Sequence, residues 1–285
     1  MVIEVDRKSN IYYNVKLVLE PSDYDKLRRA EVWIIGSGGI GRNLALSLAS
    51  SAIGKIVLVD GDRVEARNIA IAGFEREDVG MLKVLSVKNA IQKRFGRRVR
   101  VLAIPRYTYQ LEEAILEKPE IMIVGVDNVA TRISIASLRT GAGKNTIFLG
   151  FGEFQGSYLY HVPGKTACWA CLGRPKDLED LSTVLERRRC PPPEKLNPSP
   201  ILPGAVMKLI GVASSEVVKI ITGKGSLLQY YCFDVMECWE IKKLMDASEY
   251  LKPDPECPVC NPLKSRDLKT MIDELRVGRT WASWE

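Results

Sequence analysis

Along this chain, short and almost wholly apolar runs alternate with longer stretches in which apolar residues recur every three or four positions. Glu31-Val-Trp-Ile-Ile-Gly36, Lys55-Ile-Val-Leu-Val-Asp60, Arg100 to Ile104 and Ile121-Met-Ile-Val-Gly125 are of the first kind, which predicts strands buried on both faces. Arg42 to Ser51, with Leu44, Ala45, Leu48 and Ala49 at helical spacing, Leu82 to Phe95, Tyr109 to Glu117 and Ala130 to Thr140 are of the second kind. Strand and helix in alternation predict βαβ units and a doubly wound α/β sheet. Thr146 to Phe151 follows, and Gly156 to Val162 then alternates as an antiparallel strand does, so the parallel sheet is expected to become mixed.

The flanks read differently. Val2-Ile3-Glu4-Val5 fits a short strand and Pro21 to Arg29 a lead-in helix. Residues 172–202 are charged and rich in proline, as a long loop is, and long loops usually carry function or lack order. Gly204 to Ile221 predicts one more apolar helix before a hairpin around Gly223 and Gly225, with strands Leu227 to Phe233 and Glu237 to Leu244. A helical tail from Leu263 to Leu275 ends in Trp281 and Trp284. The expected division is an arm and lead-in helix at 1–30, one α/β domain at 31–262 with a crossover loop at 172–202, and a tail at 263–285.

Composition adds limits. In 285 residues, 41 basic against 35 acidic side chains give a net charge of +6, which suits ATP, nucleic acid or an acidic protein and selects none of them. The basic runs Arg97-Arg98 with Arg100, and Arg187-Arg188-Arg189, lack interleaved aromatics, so direct nucleic-acid binding is not expected. Seven cysteines, no apolar run long enough to span a bilayer and no basic-plus-apolar leader predict a cytoplasmic protein without membrane contact.

Two constellations carry chemistry. Cys168/Cys171 and Cys257/Cys260 each supply two thiolates at Cys-x-x-Cys spacing, and one tetrahedral zinc needs four, so a shared structural zinc clipping the carboxyl-terminal region is expected. Two redox pairs are the alternative, but neither cluster opens a helix after a strand. Gly36-Ser-Gly-Gly-Ile-Gly41 lets backbone approach a phosphate at the start of a helix, a fingerprint that does not separate NAD, FAD, SAM and ATP. Asp60, at the tip of the second strand, is placed to accept ribose hydroxyls, or it is a turn acid. Asp62 can position a phosphate-bound metal or close a surface turn, Lys83 can neutralise a phosphate or be a surface lysine, and Asp127-Asn128 can hold magnesium or end a strand. His161, the only histidine, reads as a turn residue before Pro163-Gly164, which argues against a hydrolase triad. Cys232 and Cys238 read as small buried hydrophobes on strands.

Taken in order, Gly36-Ser-Gly-Gly-Ile-Gly41, Val59-Asp-Gly-Asp62, Asn68, Gly80-Met-Leu-Lys83, Gly125-Val-Asp-Asn-Val-Ala-Thr-Arg132, Cys168-Trp-Ala-Cys171 and Cys257-Pro-Val-Cys260 resemble the ThiF/MoeB/HesA family. That family includes the adenylating domains of ubiquitin-activating enzymes, and the resemblance covers about residues 25–262. It implies a Rossmann-like fold and an enzyme that uses MgATP to adenylate the carboxyl-terminal glycine of a small β-grasp, ubiquitin-like carrier ending in Gly-Gly. By the same resemblance Gly36, Gly38, Gly39 and Gly41 surround phosphates, Asp60 holds ribose, Lys83 contacts phosphate, Asp127 binds Mg2+, Asn68 belongs to the ATP site and the four cysteines hold Zn2+. A homodimer and a downstream cysteine or sulfurtransferase that takes the acyl group are implied as well.

The chain departs from the family pattern where x-x-Arg-Gln is expected after the asparagine. Asn68 is followed by Ile69-Ala70-Ile71-Ala72, so the arginine expected at Ile71 is missing. Arg67, Arg63 or an arginine of a second subunit can replace it; the amino-terminal segment also lacks the family's Arg-x-x-Arg-Gln style opening, for which Arg7 could serve. Cys190, beside Arg187-Arg-Arg189 in the crossover loop, is the candidate acyl acceptor, because neighbouring cations raise a thiol's thiolate fraction, although Pro191-Pro-Pro193 is unusual there. Rival readings are adenylation of a peptide or another carboxylate, a non-catalytic carrier-binding subunit, and a tRNA-modifying dehydratase relative. A dinucleotide oxidoreductase would leave the cysteine pairs unexplained.

Overall fold

Alternate residues of the first strand face opposite sides of one sheet, which is why that run has no polar position inside it. Val32 and Ile34 join one buried cluster, Trp33 and Ile35 the other. The structure, a computed structural model, describes residues 10–173, 201–245, 251–261 and 270. Its described helices are α1 (Tyr13–Val18), α2 (Pro21–Arg29), α3 (Gly39–Ser50), α4 (Asn68–Ala72), α5 (Lys83–Phe95), α6 (Glu113–Glu117), α7 (Val129–Gly141), α8 (Trp169–Gly173) and α9 (Pro203–Thr222). The strands are β1 (Glu31–Ile35), β2 (Lys55–Val59), β3 (Arg100–Ile104), β4 (Ile121–Val124), β5 (Thr146–Phe151), β6 (Gln155–His161), β7 (Leu228–Asp234) and β8 (Trp239–Leu244).

These strands form one eight-stranded sheet in the order β3-β2-β1-β4-β5-β6-β7-β8. The pairs from β3 through β5 are parallel and those from β5 through β8 antiparallel, so the mixed doubly wound sheet is present. One face is covered by α3, α5 and α9 through Leu44, Leu48, Val84, Ile91, Leu209 and Val217; the other meets Leu116, Ile133, Ala136 and the cysteine region. Each such fully buried aliphatic side chain contributes about 1.5–3 kcal/mol relative to exposure. The amino-terminal helices belong to the same core, since Leu27 is fully buried and the Tyr12 hydroxyl donates to the Ala49 carbonyl at 3.0 Å.

Several boundaries differ from expectation for local reasons. Helix α3 begins at Gly39, earlier than Arg42, because close approach demands glycines there despite their poor helix propensity: a Cβ on Gly41 would lie 1.8 Å from the Gly36 carbonyl oxygen. The helix expected from Tyr109 is confined to Glu113–Glu117, after a tight turn over Thr108–Gln110. Gly223 (φ +72°) caps α9 in the left-handed conformation and does not turn the hairpin. The β7–β8 connection is residues 235–238, where Asp234 Oδ1 accepts from the backbone N–H groups of Met236 (2.8 Å) and Glu237 (2.9 Å). Cys238 therefore lies in this turn, exposed and at φ +53°, and Cys232 is only half-buried, so neither is the buried strand residue expected. His161 ends β6 fully buried, its ring bonded to Thr140 Oγ1 at 2.9 Å and to the carbonyls of Thr166 and Ala167, a core histidine and not a turn residue.

Arg139 was not singled out by pattern, yet it is the largest fully buried side chain among the described residues. Its guanidinium donates to Thr146 Oγ1 (2.9 Å) and to the carbonyls of Leu116 (3.0 Å), Pro119 (3.0 Å) and Asn145, tying α7 to the edges of β4 and β5. Arg139→Met would leave three backbone carbonyls without this donor. We expect it to lower stability by about 3 kcal/mol or more, read as a shifted midpoint of denaturant unfolding; an unchanged midpoint would show the carbonyls have other donors.

Candidate functional site

Strand order reverses beside β1: the chain leaves β1 toward β2 and leaves β4 toward β5, which opens a crevice at their carboxyl ends. The loops after β1 and β4 meet there. A Cβ on Gly36 (φ +91°) would stand 2.9 Å from Val126 Cγ1, and one on Gly125 would stand 2.9 Å from Ile40 Cγ2, so both positions need glycine for this approach. Gly38 is different, because a Cβ there would meet nothing within 4 Å and its face is open to a ligand. No side chain caps α3, which leaves the first-turn N–H groups and the positive end of the helix directed at that opening.

Asp60 links this loop to the tip of β2. Its Oδ2 accepts from Ser37 N (2.6 Å) and its Oδ1 from Asp62 N (2.7 Å), and each oxygen keeps a further lone pair. Burial pushes its carboxyl up, against the pull of Lys83. Residues 62–64 and 80–83 then run side by side: Lys83 N donates to Asp62 O (2.9 Å), Val64 N to Met81 O (2.8 Å) and Gly80 N to Val64 O (2.9 Å). This pairing brings the Lys83 ammonium to 2.9 Å from Asp62 Oδ2 with only 11% of its side chain exposed. Burial alone would lower the lysine's pKa, but the Asp60 and Asp62 carboxylates outweigh it and raise it, so the ammonium stays charged. Asp62 is held low because the Lys83 ammonium and the Tyr107 hydroxyl overcome its own desolvation.

The remaining expected residues are less concentrated. Asp127 is exposed on the loop after β4, and Asn128 caps α7 by accepting from Thr131 N at 2.9 Å. Asn68 Oδ1 accepts from Glu65 N at 2.9 Å, which fixes its own turn. Arg67 is paired with Glu65 at 2.6 Å on the surface. Ile71 fills the place next to the loop: a Cβ on Gly39 would be 3.0 Å from Ile71 Cγ2, so an aliphatic side chain roofs that glycine where a cation was expected. Arg63 donates to the Gly80 carbonyl at 2.7 Å. Arg7, Cys190 with Arg187-Arg-Arg189, Trp281 and Trp284 lie outside the described residues.

Sequence reasoning missed two further side chains. Tyr107 bonds Asp62 from 45 positions away, and Arg132, quoted only as part of a motif, is buried beneath Trp169 with its Nη2 donating to Leu149 O at 2.6 Å. Burial pushes the Arg132 pKa down to about 10, with Asp127 opposing. Helical or strand periodicity carries no mark of either contact, since each is made between elements. A cleft of about 540 Å3 between Arg29, Glu31, Lys118 and Ile121 lies at the opposite, amino-terminal end of β1 and β4; ligands of open α/β sheets bind beyond the carboxyl ends, so it is not the candidate site.

The four cysteines do come together. Cys168 Sγ lies 3.8 Å from Cys171 Sγ and 3.7 Å from Cys257 Sγ, Cys171 Sγ lies 3.7 Å from Cys260 Sγ, and all four sulfurs fall within 4.8 Å of one another. A disulfide would need about 2.05 Å, whereas sulfurs about 2.3 Å from a tetrahedral zinc are roughly 3.8 Å apart. The donor set is therefore able to chelate one metal, and the Asp254 N–H directed at Cys171 Sγ (3.5 Å) adds an outer hydrogen bond.

Known proteins resemble this chain to different extents. A sulfur carrier protein adenylyltransferase of Thermus thermophilus is 28% identical over 276 residues, covering 90% of this chain and 91% of that protein. Ubiquitin-like modifier-activating enzyme 5 of Rattus norvegicus is 24% identical over 86% of this chain, which spans only 62% of the rat protein. Among solved structures, E. coli MccB with ATP superposes with a TM-score of 0.65 at 23% identity, covering 84% of this chain and 69% of that one, a likeness of fold. The model of the ThiF family matches residues 12–259, from α1 into the second cysteine pair, and with the glycine loop, the Asp60 tip and three of the four clustered cysteines inside that span, the chain belongs to the ThiF family.

Proposed function

We propose that this protein uses ATP to adenylate the carboxyl-terminal glycine of a ubiquitin-like sulfur carrier or modifier, releasing pyrophosphate. The observation that carries the reading is the assembly at one sheet end of an open glycine loop on a helix N-terminus, Asp60, and a buried, charged Lys83. Backbone N–H groups of the loop receive phosphate oxygens, Asp60 accepts ribose hydroxyls with its free lone pairs, and Lys83 offsets charge on the phosphate chain. The carrier carboxylate forms a bond to the α-phosphorus as the bond to the β-phosphate oxygen breaks. Magnesium held by Asp127 would neutralise the departing pyrophosphate, and zinc in the cysteine cluster would be structural. Asn68 and Asn128 shape the two loops, and Arg67 supplies a further cation if it leaves Glu65. Support comes from the Thermus thermophilus relative, whose name gives a sulfur carrier as its substrate. The exposed Met236, Trp239 and Ile241 around β8 offer a carrier an apolar edge. Cys190 or a sulfurtransferase then takes the acyl group.

Ile71 on Gly39 favours a second reading, in which the missing cation is supplied by a second copy or partner, or the substrate is another carboxylate such as that of a peptide. ATP–pyrophosphate exchange with each Gly-Gly-ending β-grasp protein of the same organism separates these. Exchange that depends on one carrier is the expected result. No exchange with any, in a protein that binds ATP, would replace the carrier reading with the second one.

A further inference from the structure

Tyr107 reaches the candidate nucleotide site from the loop after β3, and its backbone is pinned there. Its N–H donates to Gln110 Oε1 at 2.9 Å, and its carbonyl accepts from Gln110 N at 3.0 Å. The ring covers Gly61, the residue between the two acids: a Cβ on Gly61 would fall 2.8 Å from Tyr107 Cε2 and from Cζ. Residue 61 must therefore be glycine for the ring to lie there. The ring also stacks on Tyr109, with centroids 5.3 Å apart and planes 13° from parallel. So placed, the phenol hydroxyl donates to Asp62 Oδ1 at 2.9 Å while the Lys83 ammonium holds Asp62 Oδ2 at 2.9 Å.

One carboxylate is thus shared between a neutral donor and a cation. A lysine that is to serve a phosphate has first to leave its carboxylate, and a carboxylate partly satisfied by a phenol holds an ammonium less tightly than a bare one does. When the ammonium leaves, the phenol still anchors Asp62, which keeps the acid from following the lysine or swinging into the phosphate path. We propose that Tyr107 is a positioning residue for the phosphate chain, holding Asp62 so that Lys83 transfers from that carboxylate to incoming nucleotide phosphate. This inference rests on the nucleotide reading of the site. It adds that release of Lys83 is set by a residue that touches neither phosphate nor lysine.

The test is a double-mutant cycle read by calorimetric ATP binding to the full chain: wild type, Tyr107→Phe, Asp62→Asn and both together. Tyr107→Phe keeps the ring over Gly61 and removes only the hydroxyl. It should weaken ATP on the order of fivefold, as loss of one hydrogen bond to a charged, half-exposed group does, and the loss should vanish in the Asp62→Asn background, where the lysine has no hydrogen-bonded carboxylate to leave. Binding of adenosine, which has no phosphate, should be the same in wild type and Tyr107→Phe. An unchanged ATP affinity in Tyr107→Phe overturns the inference, as does an equal loss with Asp62→Asn present, which would mark the hydroxyl as a packing contact. A wild-type chain that binds no ATP overturns this inference and the nucleotide reading together, whereas the other two outcomes leave that reading standing.

Discussion

Replacing Lys83 with alanine is expected to slow adenylation by about 10²–10³-fold at saturating ATP, the loss seen when one preorganised electrostatic donor is removed from a reacting centre. The upper part of that range applies as long as Arg67 stays on Glu65, because the position next to the loop then offers no second cation. Ile71 packs its methyl group toward Gly39, and Arg67 is engaged with Glu65. The lysine is 11% exposed and its pKa is raised by Asp60 and Asp62, so it delivers a full charge with little screening from water. The same geometry predicts a modest effect on folding, since Asp62 keeps nearly half its side chain in solvent and retains the Tyr107 bond when the lysine is gone. Single-turnover pyrophosphate release checks the rate, with circular dichroism as the control for fold. A rate within tenfold of wild type would remove Lys83 from the chemistry.

Replacing Cys257 with serine is expected to take the bound metal from about one per chain to none and to lower the melting temperature by roughly 10 °C, the shift that a loss of about 4 kcal/mol produces in a domain of this size. The figure is well below what zinc contributes to an isolated finger peptide, because here an ion in the cluster would close a segment onto a core that already exists. Residues 251–261 have other ties: Ala167 N donates to Leu251 O at 2.9 Å, the Gln229 side-chain amide donates to Leu251 O at 2.8 Å and its Oε1 accepts from Leu251 N, and Val259 is buried against the second face of the sheet. Loss of the metal should therefore open this segment to protease well before the sheet melts. Zinc content by mass spectrometry and limited proteolysis read the two effects. A metal-replete, folded wild-type preparation with a zinc ratio near zero would defeat the shared site.

Much of the scaffold was legible in the chain because its signals are local. A strand buried on both faces must be apolar at every position, a surface helix must repeat near 3.6, and a sheet that turns antiparallel shows alternation, so β1 through β6 and α5, α7 and α9 stand close to where the pattern put them. The places that went astray are those where tertiary contact overrules local preference. Gly39 and Gly41 lie inside a helix because the Gly36 backbone passes too close for a Cβ. His161 is buried because Thr140 and two carbonyls satisfy its ring, and Gly223 serves a helix end because Asp234 makes the hairpin turn instead.

The candidate site divides along the same line. Residue types and spacings within a few positions determined the glycine loop, the Asp60 strand tip and the two Cys-x-x-Cys pairs, because a tight turn, a helix start and half of a tetrahedral donor set are each built from neighbours in sequence. The meeting of the two pairs across 89 positions was expected from four thiolates at zinc spacing, whereas only the folded chain decided that Tyr107 shares Asp62 with Lys83, that Ile71 closes on Gly39, and that Arg139 collects three carbonyls from two segments. Those last contacts depend on how the strands order and the loops close, and a linear pattern holds no term for either.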